Sequence, residues 1–356
     1  MNSNTKNSFY KNKKVCVTGG AGFIGSNIVR NLIDLGAKVT IVDNLSTGLL
    51  TNIKRIFKDK NIEFSSYKNK KISTNKGHKF IFADCLNLCD IISIIKGQNI
   101  VFHLACNFGG RGYIDTHPAD CSTNFAINTN VFHASYLAKV ERVAFASSAC
   151  VYPLDLQKGY NSKYLLKEKD AFNNNWANAD QEYGWAKLMG ELTLKAYYKQ
   201  YGLKSSITRY VTAYGPGEND THAIIALIKR AIEKKDPYIV WGTGEQDRDF
   251  TYLDDIVSGT LLACEKIKDA TVVNLGTSKR YKIKDVVEMI FNATNFYPKK
   301  IIFDKTKPEG VPTRALDNGL AKKIIGWSPK YDLDKGIQLT VDWFKKANPK
   351  SIETIR

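Results

Sequence analysis

The sequence lacks any apolar run that approaches the roughly 20 residues needed to span a membrane as a helix, so no membrane span is expected. Residues 1–10 are polar and rich in asparagine, and they contain no apolar stretch like that of a signal peptide. Since the pattern shows neither a span nor a secretion signal, we expect the protein in the cytoplasm.

Paired cysteine motifs are also missing. The chain has seven cysteines, an odd number, and no two of them form a Cys-x-x-Cys pair. A disulfide framework and a zinc site are therefore both disfavoured, and no metal site is predicted. Most of these cysteines are expected to be small buried side chains, with Cys150 as the exception discussed below.

Acidic residues are scarce relative to basic ones, and the formal net charge is +17. Charge of this sign attracts anionic ligands or nucleic acid. Lysine far outnumbers arginine, however, and the lysines are scattered along the chain. We therefore predict a lysine-rich surface and no nucleic-acid partner, with a positive field that helps to attract a diphosphate.

Apolar patterning indicates alternating strands and helices. Val15–Thr18 and Lys38–Val42 are predicted strands, and Phe23–Leu35, Asn124–Ala138 and Tyr183–Tyr201 have helical spacing. Further strand candidates are Phe80–Phe82, Ile100–Leu104, Val143–Ala146 and Ser205–Thr208. The alternation predicts an α/β fold, a Rossmann-type doubly wound parallel sheet with a smaller α/β C-terminal substrate region.

A glycine-rich turn follows the first predicted strand. Gly19, Gly22 and Gly25 have the spacing Gly-x-x-Gly-x-x-Gly. The first glycines allow a tight turn and a close backbone approach to a pyrophosphate, and the last lets the following helix pack on the strand. The N–H groups at the start of that helix then face the phosphates.

Asp43 ends the second predicted strand, where a carboxylate accepts hydrogen bonds from the adenosine ribose and repels a 2′-phosphate. The predicted cofactor is therefore NAD rather than NADP. Asp84 is expected near the adenine. The predicted cofactor-binding residues are Gly19, Gly22, Phe23, Ile24, Gly25, Asp43, Asn44, Asp84, Cys85, Leu104, Ala105, Tyr183 and Lys187.

Two regions follow from these patterns. Residues 12–208 are predicted to form the NAD-binding domain, to which 245–278 returns, while 209–244 and 279–350 form a nucleotide-sugar-binding region. The basic stretch 51–79 is longer than a crossover needs, and we predict a helix followed by a mobile surface insertion.

Tyr183 and Lys187 begin a predicted helix and share one of its faces. The lysine ammonium is expected to lower the tyrosine pKa from about 10 toward neutrality. Tyrosinate can then take the proton of a sugar hydroxyl while hydride leaves for NAD. Ser148, at the end of an upstream strand, can hydrogen-bond the same hydroxyl.

Glycine turn, serine, tyrosine and lysine in this order resemble the extended short-chain dehydrogenase/reductase family over nearly the whole chain. The segments 146–153 and 108–114 look like the active-site strand and the sugar-covering loop of GDP-mannose 3,5-epimerases. The Ser148-x-Cys150 arrangement and the segment 221–227 resemble GDP-fucose synthase, in which a cysteine and a histidine form an acid–base pair. The resemblance implies this role for Cys150 and His222.

Such a pair suits epimerisation beside a ketone. Oxidation of the sugar at C4 acidifies the protons at C3 and C5, and inversion needs a base on one face and an acid on the other. Reduction of C4 then returns the cofactor, so no external NAD is consumed. We predict an NAD-dependent nucleotide-sugar epimerase that inverts C3, C5 or both in a GDP-mannose-type hexose or a related sugar.

The resemblance also supplies substrate contacts. Arg248 and Arg314 are candidate ligands of the diphosphate, because guanidinium groups bind its oxygens in forked pairs. Gly110 and Arg111 belong to the sugar-covering loop, and Asn124 matches a family position that helps to order the active site. A homodimer and the supply of activated sugars for polysaccharide or glycoconjugates are implied as well.

Several alternatives stay open. A 4-epimerase needs Tyr183 and Lys187 but neither Cys150 nor His222. An epimerase–reductase would consume reduced cofactor, usually NADPH, and Asp43 disfavours the binding of NADPH. A 4,6-dehydratase is disfavoured because 151–155 lacks an Asp-Glu pair. A cofactor sensor without catalysis is disfavoured by the intact serine, tyrosine and lysine.

Overall fold

The computed structural model describes residues 8–57, 71–73, 77–172, 177–220 and 222–346. The strands are β1 (Lys14–Thr18), β2 (Lys38–Asp43), β3 (Lys71–Ser73), β4 (Lys79–Phe82), β5 (Ile100–His103), β6 (Arg142–Ser148), β7 (Ser205–Tyr210), β8 (Ala213–Tyr214), β9 (Tyr238–Trp241), β10 (Asp247–Arg248), β11 (Thr251–Tyr252), β12 (Asp269–Leu275), β13 (Tyr281–Lys282), β14 (Ile301–Asp304) and β15 (Thr313–Arg314).

The α-helices in these ranges are α1 (Phe23–Asp34), α2 (Leu50–Phe57), α3 (Leu88–Ile95), α4 (Arg111–Thr116), α5 (Pro118–Ser122), α6 (Asn124–Leu137), α7 (Gln181–Tyr201), α8 (Ala223–Ile232), α9 (Leu253–Lys266), α10 (Ile283–Thr294), α11 (Gly319–Ile325) and α12 (Leu333–Lys346). In the described part of the chain, no helix is both long and apolar enough to cross a membrane.

The main sheet has eight strands in the order β12-β7-β6-β5-β1-β2-β4-β3, and every pairing in it is parallel except that of β3 with β4. Apolar side chains of α1 and α9 cover one face, and those of α3, α6 and α7 cover the other. The predicted doubly wound α/β fold is confirmed, and each predicted strand and helix forms within a few residues of its expected bounds.

Strand order places the candidate site. From β1 the chain builds outward through β2 and β4, then returns to the other side of β1 with β5, β6 and β7. The order therefore reverses between β1 and β5, and ligands of open α/β sheets bind beyond the carboxyl ends of the strands at such a point.

A second apolar core lies between α8, α10 and α12 and includes Ile228, Val286 and Ile337. The chain returns to the main sheet before completing this region, because β12 pairs in parallel with β7. The division at 208/209 stays a prediction. Of the predicted insertion, α2 and β3 are seen, whereas 58–70 and 74–76 lie outside the described residues.

Candidate active site

One cavity of about 430 Å³ lies beyond the carboxyl ends of β1, β2, β5 and β6 and reaches the second region. Its volume is in the range of small-molecule sites. It brings together almost all of the predicted site residues: Gly19, Gly22, Phe23, Ile24, Gly25, Asp43, Asn44, Asp84, Cys85, Leu104, Ala105, Gly110, Arg111, Ser148, Cys150, Tyr183, Lys187, His222, Arg248 and Arg314.

The glycine turn is as tight as its spacing predicts. Gly19 has a φ of +69°, and a Cβ added to Gly25 would lie 2.1 Å from the Gly19 carbonyl oxygen. Helix α1 then begins after Gly22, with no acidic residue in its first turn. Backbone N–H groups therefore meet the cavity without a competing carboxylate from that turn, which suits a pyrophosphate.

Asp43 closes this half of the cavity. Its carboxylate accepts hydrogen bonds from the backbone N–H groups of Ala21 (2.9 Å) and Leu45 (2.8 Å), which tie the glycine turn to the end of β2. Burial raises the pKa of Asp43, while the two N–H donors act in the opposite direction. Beside it, the Asn44 amide donates to the Asp84 carboxylate at 3.0 Å.

The two adjacent serines at the end of β6 point to opposite sides of the strand. The Ser147 hydroxyl donates to Glu191 at 2.5 Å in a buried network that also includes Arg209. Both residues border the cavity, but Ser148 is the more exposed of the two, and its side chain hydrogen-bonds Tyr183. The alternation of side chains along a strand thus places Ser148, the residue selected from the sequence, in the cavity.

Tyr183 and Lys187 lie on the inner face of α7, and the Lys187 ammonium is 5.7 Å from the centre of the Tyr183 ring. Lys187 Nζ donates to the Ala146 carbonyl at 2.8 Å. The predicted lowering of the tyrosine pKa is not seen. Burial, with Cys106 and Cys150 nearby, raises the pKa of Tyr183 well above its ordinary value, and Ser148 offsets this only in part. Burial also lowers the pKa of Lys187.

Cys150 faces the cavity on a short helical turn after β6. Arg314 donates to its Sγ at 3.3 Å and to the Asp180 carboxylate at 2.9 Å. Helix α7 begins beside it, since Asp180 N–H donates to the Cys150 carbonyl at 2.8 Å. A Cβ added to Gly184 would lie 2.3 Å from that carbonyl oxygen, so the helix and the Cys150 turn are in close contact.

Arginines surround the opposite wall. Arg248 and Arg314 are paired neighbours on β10 and β15. Arg248 donates to the backbone carbonyls of Asp247 and Glu309, and it forms no ion pair with a described carboxylate. Burial and the nearby Arg314 lower its pKa to about 10. Arg111 pairs with Asp180 at 2.8 Å and with Asp115 at 2.6 Å.

His222 immediately precedes α8, and its Nδ1 is hydrogen-bonded to the carboxylate of Glu218. The Phe108 ring packs near the rings of both His222 and Tyr183. Its centre is 5.5 Å from that of His222 and 4.6 Å from that of Tyr183. Burial lowers the pKa of His222, but the Glu218 carboxylate outweighs this effect, so that the pKa is raised.

Asn124 is the predicted site residue that does not reach the cavity. Its side chain is fully buried. The amide donates to the carbonyls of Asn107 and Cys121, both at 2.9 Å, and its oxygen accepts from Asn107 N–H at 2.7 Å. The prediction of a substrate contact is therefore corrected: Asn124 holds the backbone of the loop that carries Phe108, as expected of a residue that orders the site.

Sequence analysis missed two carboxylates at the site: that of Asp180, which pairs with Arg111 and Arg314, and that of Glu218, which bonds His222. Asp180 stands directly before α7, and Glu218 lies four residues before His222. Both positions could have been noted as acids flanking a candidate residue. Their partners, however, depend on contacts between elements that are distant in the chain.

The raised pKa of His222 can be measured directly. We expect its Cε1 proton to titrate in NMR with an apparent pKa above the ordinary value of about 6.5, because the adjacent carboxylate stabilises the imidazolium. The chain has five histidines, so His222→Gln identifies the signal by removing it. A midpoint below that of free histidine would show that burial dominates and would contradict this account.

Comparison with known proteins supports the same interpretation. A model of the NAD dependent epimerase/dehydratase family matches residues 15–276. GDP-mannose 3,5-epimerase of Arabidopsis thaliana is 30% identical over 348 residues, which is 96% of this chain and 84% of that protein. GDP-L-fucose synthase 1 of the same plant is 28% identical over 347 residues, 94% of each chain.

Among solved structures, the UDP-glucose 4-epimerase of Thermotoga maritima with UDP-glucose is similar, with a TM-score of 0.78 at 28% identity over 94% of this chain and 99% of that one. The predicted resemblance and the predicted cofactor, NAD, are confirmed by the family match. The family model matches most of the chain, and the glycine turn and the strand order agree with it. The chain therefore belongs to the NAD dependent epimerase/dehydratase family.

Proposed function

We propose that this enzyme is a nucleotide-sugar epimerase that works through a transient 4-keto sugar and inverts C3, C5 or both in a GDP-mannose-type hexose or a related sugar. One observation carries the proposal. Tyr183, suited to oxidation and reduction at C4, shares a single cavity with Cys150 and His222, two groups suited to proton transfer at carbon.

The cofactor half of the cavity fits NAD. A Cβ at Gly19 would lie 2.7 Å from Ala105 N, so the turn packs closely on the chain after β5. A turn built of glycines also lets the backbone approach a pyrophosphate closely. Each oxygen of Asp43 accepts one backbone hydrogen bond and keeps a lone pair for a ribose hydroxyl. Asn44, Asp84 and Cys85 are proposed to border the adenosine.

A bound NAD would supply the acceptor for hydride from C4 of the sugar and the donor for its return after inversion. Tyr183 takes the proton of the C4 hydroxyl and later gives it back, while Ser148 hydrogen-bonds the same oxygen. Burial raises the pKa of Tyr183, which disfavours the tyrosinate but makes it a strong base once it has formed. The ammonium of Lys187, anchored on the Ala146 carbonyl, favours the tyrosinate during the transfer.

Cys150 and His222 are proposed as the acid–base pair at C3 and C5. One removes the proton beside the ketone, and the other delivers a proton to the opposite face of the enolate. Arg314 donates to the Cys150 sulfur and so places a positive charge beside the group when it carries negative charge. The raised pKa of His222 favours its protonated form, which is the form that donates.

Arg248 is the leading candidate for the substrate diphosphate. It is partly buried at the cavity wall, and its charge is not paired with a described carboxylate. Arg314 keeps N–H groups beyond those given to Gln157, Cys150 and Asp180, and it is proposed as a second contact. Gly110 and Arg111 are proposed to cover the sugar.

Two further features extend the proposal. Helices α6 and α7 expose apolar side chains on their outer faces, including Phe125, Trp185, Met189 and Leu192, and we propose that a second copy of the chain covers them. We also propose a cytoplasmic role in supplying activated sugars for polysaccharide or glycoconjugates.

Replacement of Asp43 tests the cofactor half. We expect Asp43→Asn to weaken NAD binding by roughly 10- to 150-fold, which corresponds to about 1.5–3 kcal/mol for hydrogen bonds to a charged group. The preference for NAD over NADP should narrow because the repelling charge is gone. Calorimetric titration with both dinucleotides measures this. Asp34→Asn on the exposed end of α1 is the control, and an unchanged preference in a folded Asp43→Asn variant would contradict the assignment.

Deuterium exchange tests the reaction. The protein is incubated with GDP-, UDP- and dTDP-sugars in heavy water, and deuterium is located by NMR. We expect incorporation at C3 or C5, reduced by about 10²-fold or more in Cys150→Ala and His222→Ala, since general acid–base groups contribute about 10²–10⁴-fold. Tyr183→Phe should prevent all exchange, because no ketone forms.

Other outcomes favour other functions. A product inverted at C4 without deuterium at C3 or C5 would make this a 4-epimerase. Consumption of added reduced cofactor in proportion to product would make it an epimerase–reductase. Bound NAD with no turnover of any sugar would favour a sensor.

The proposed dimer is tested by sedimentation equilibrium. We expect a dimer mass for the native protein and a monomer mass for Met189→Glu, because a buried unpaired charge opposes association. Leu339→Glu, at an exposed leucine on α12, is the matched control. A native monomer at micromolar concentration would contradict the proposal.

A further inference from the structure

The loop between β8 and α8 carries a buried carboxylate that the chemistry above does not use. Glu218 borders the cavity, yet its side chain is only 1% exposed. Gly217, with a φ of +89°, turns the chain directly before it. Tyr214, buried in the second core against Phe250 and Tyr252, anchors the start of this loop.

The contacts of Glu218 are few. Its Oε1 accepts from Nδ1 of His222, and its Oε2 is buried with no hydrogen-bond partner among the residues that the structure describes. A buried carboxylate is costly unless it is paired. The described side-chain partner of the Glu218 carboxylate is the imidazole of His222, which is proposed to transfer protons.

The contact determines which nitrogen of His222 is available. An ionised carboxylate only accepts hydrogen bonds, so Nδ1 carries the hydrogen and Nε2 is the nitrogen left for another partner. Phe108, whose ring centre is 5.5 Å from that of His222, limits the rotation of the ring from the other side. With Glu218 ionised, these contacts favour one tautomer and one orientation of His222.

We propose that Glu218 is the positioning residue of the acid–base pair, which holds His222 with Nε2 directed to the sugar and stabilises its imidazolium form. The inference rests on the proposed role of His222. When Nε2 takes a proton the ring becomes imidazolium, when it gives the proton to carbon the ring becomes neutral, and Glu218 stays ionised throughout. Carboxylates that orient a histidine through its second nitrogen act in this way in other enzymes.

Exchange kinetics provide the first test. We expect Glu218→Gln, which keeps the shape and removes the charge, to change deuterium incorporation at the same carbon as His222→Ala, with a loss of about tenfold or more. Substrate KM should change little, because the Glu218 side chain is almost fully buried and its described partner is His222. Glu218→Asp restores the charge and should recover part of the rate.

The matched control is Asp220→Asn. Asp220 belongs to the same loop, and its carboxylate forms a partly buried ion pair with Lys229 at 2.6 Å. We expect this variant to exchange at the native rate. An equal loss in Asp220→Asn and Glu218→Gln would assign the effect to the loop as a whole and overturn the inference.

Nitrogen-15 NMR of histidine-labelled protein provides a test that needs no substrate. We expect His222 to show a protonated Nδ1 and an unprotonated Nε2 when neutral. In Glu218→Gln the amide can present either its oxygen or its NH₂ group to Nδ1, so the tautomers should become mixed. Glu218→Asp should keep the native tautomer and covers the case in which the glutamine variant fails to fold.

The two proposals fail differently. Suppose that the native protein exchanges deuterium and that Glu218→Gln has the same exchange rate and the same His222 tautomer. This result would overturn the role of Glu218 but not the proposed epimerase. Absence of exchange in the native protein would overturn the epimerase. The nitrogen shifts would then decide on Glu218 alone, and native shifts in Glu218→Gln would reject it.

Discussion

The substrate half of the site depends on one buried carboxylate, that of Asp180. It accepts hydrogen bonds from Arg111 on one oxygen and from Arg314 on the other. Burial raises the pKa of Asp180, but the two guanidinium groups lower it by more, so the carboxylate stays ionised. Because its backbone N–H also bonds the Cys150 carbonyl, this residue joins the turn after β6, the start of α4 and strand β15.

Much of the cofactor half could be predicted because its determinants are local. A strand, three glycines and a helix adjoin in sequence, and Asp43 follows on the next strand, so spacing alone defines the geometry. Ser148 could be selected on the same basis, since alternation along β6 sends Ser147 to Glu191 instead. The placement of Asn124 behind the loop could not be derived from spacing, because it depends on how α6 packs.

The electrostatics could not be predicted from the sequence for a different reason. Helical spacing correctly brings Lys187 near Tyr183, but the direction of a pKa shift depends on how far each group is removed from water. Here burial is the larger effect on both side chains. For His222, the effect of burial on the pKa is outweighed by a single neighbour, the Glu218 carboxylate. The loop conformation brings these two side chains together, and the sequence does not specify that conformation.

The pairing of β10 with β15 has a consequence for the order in which the enzyme is made. Chains fold from the N-terminus during synthesis, and the residues predicted to bind the cofactor all precede residue 188. Arg314 leaves the ribosome much later, and only then can it reach Cys150 and Asp180. The glycine turn is thus made well before Arg314, and a chain cut short before β15 would lack the arginine that lies beside Cys150.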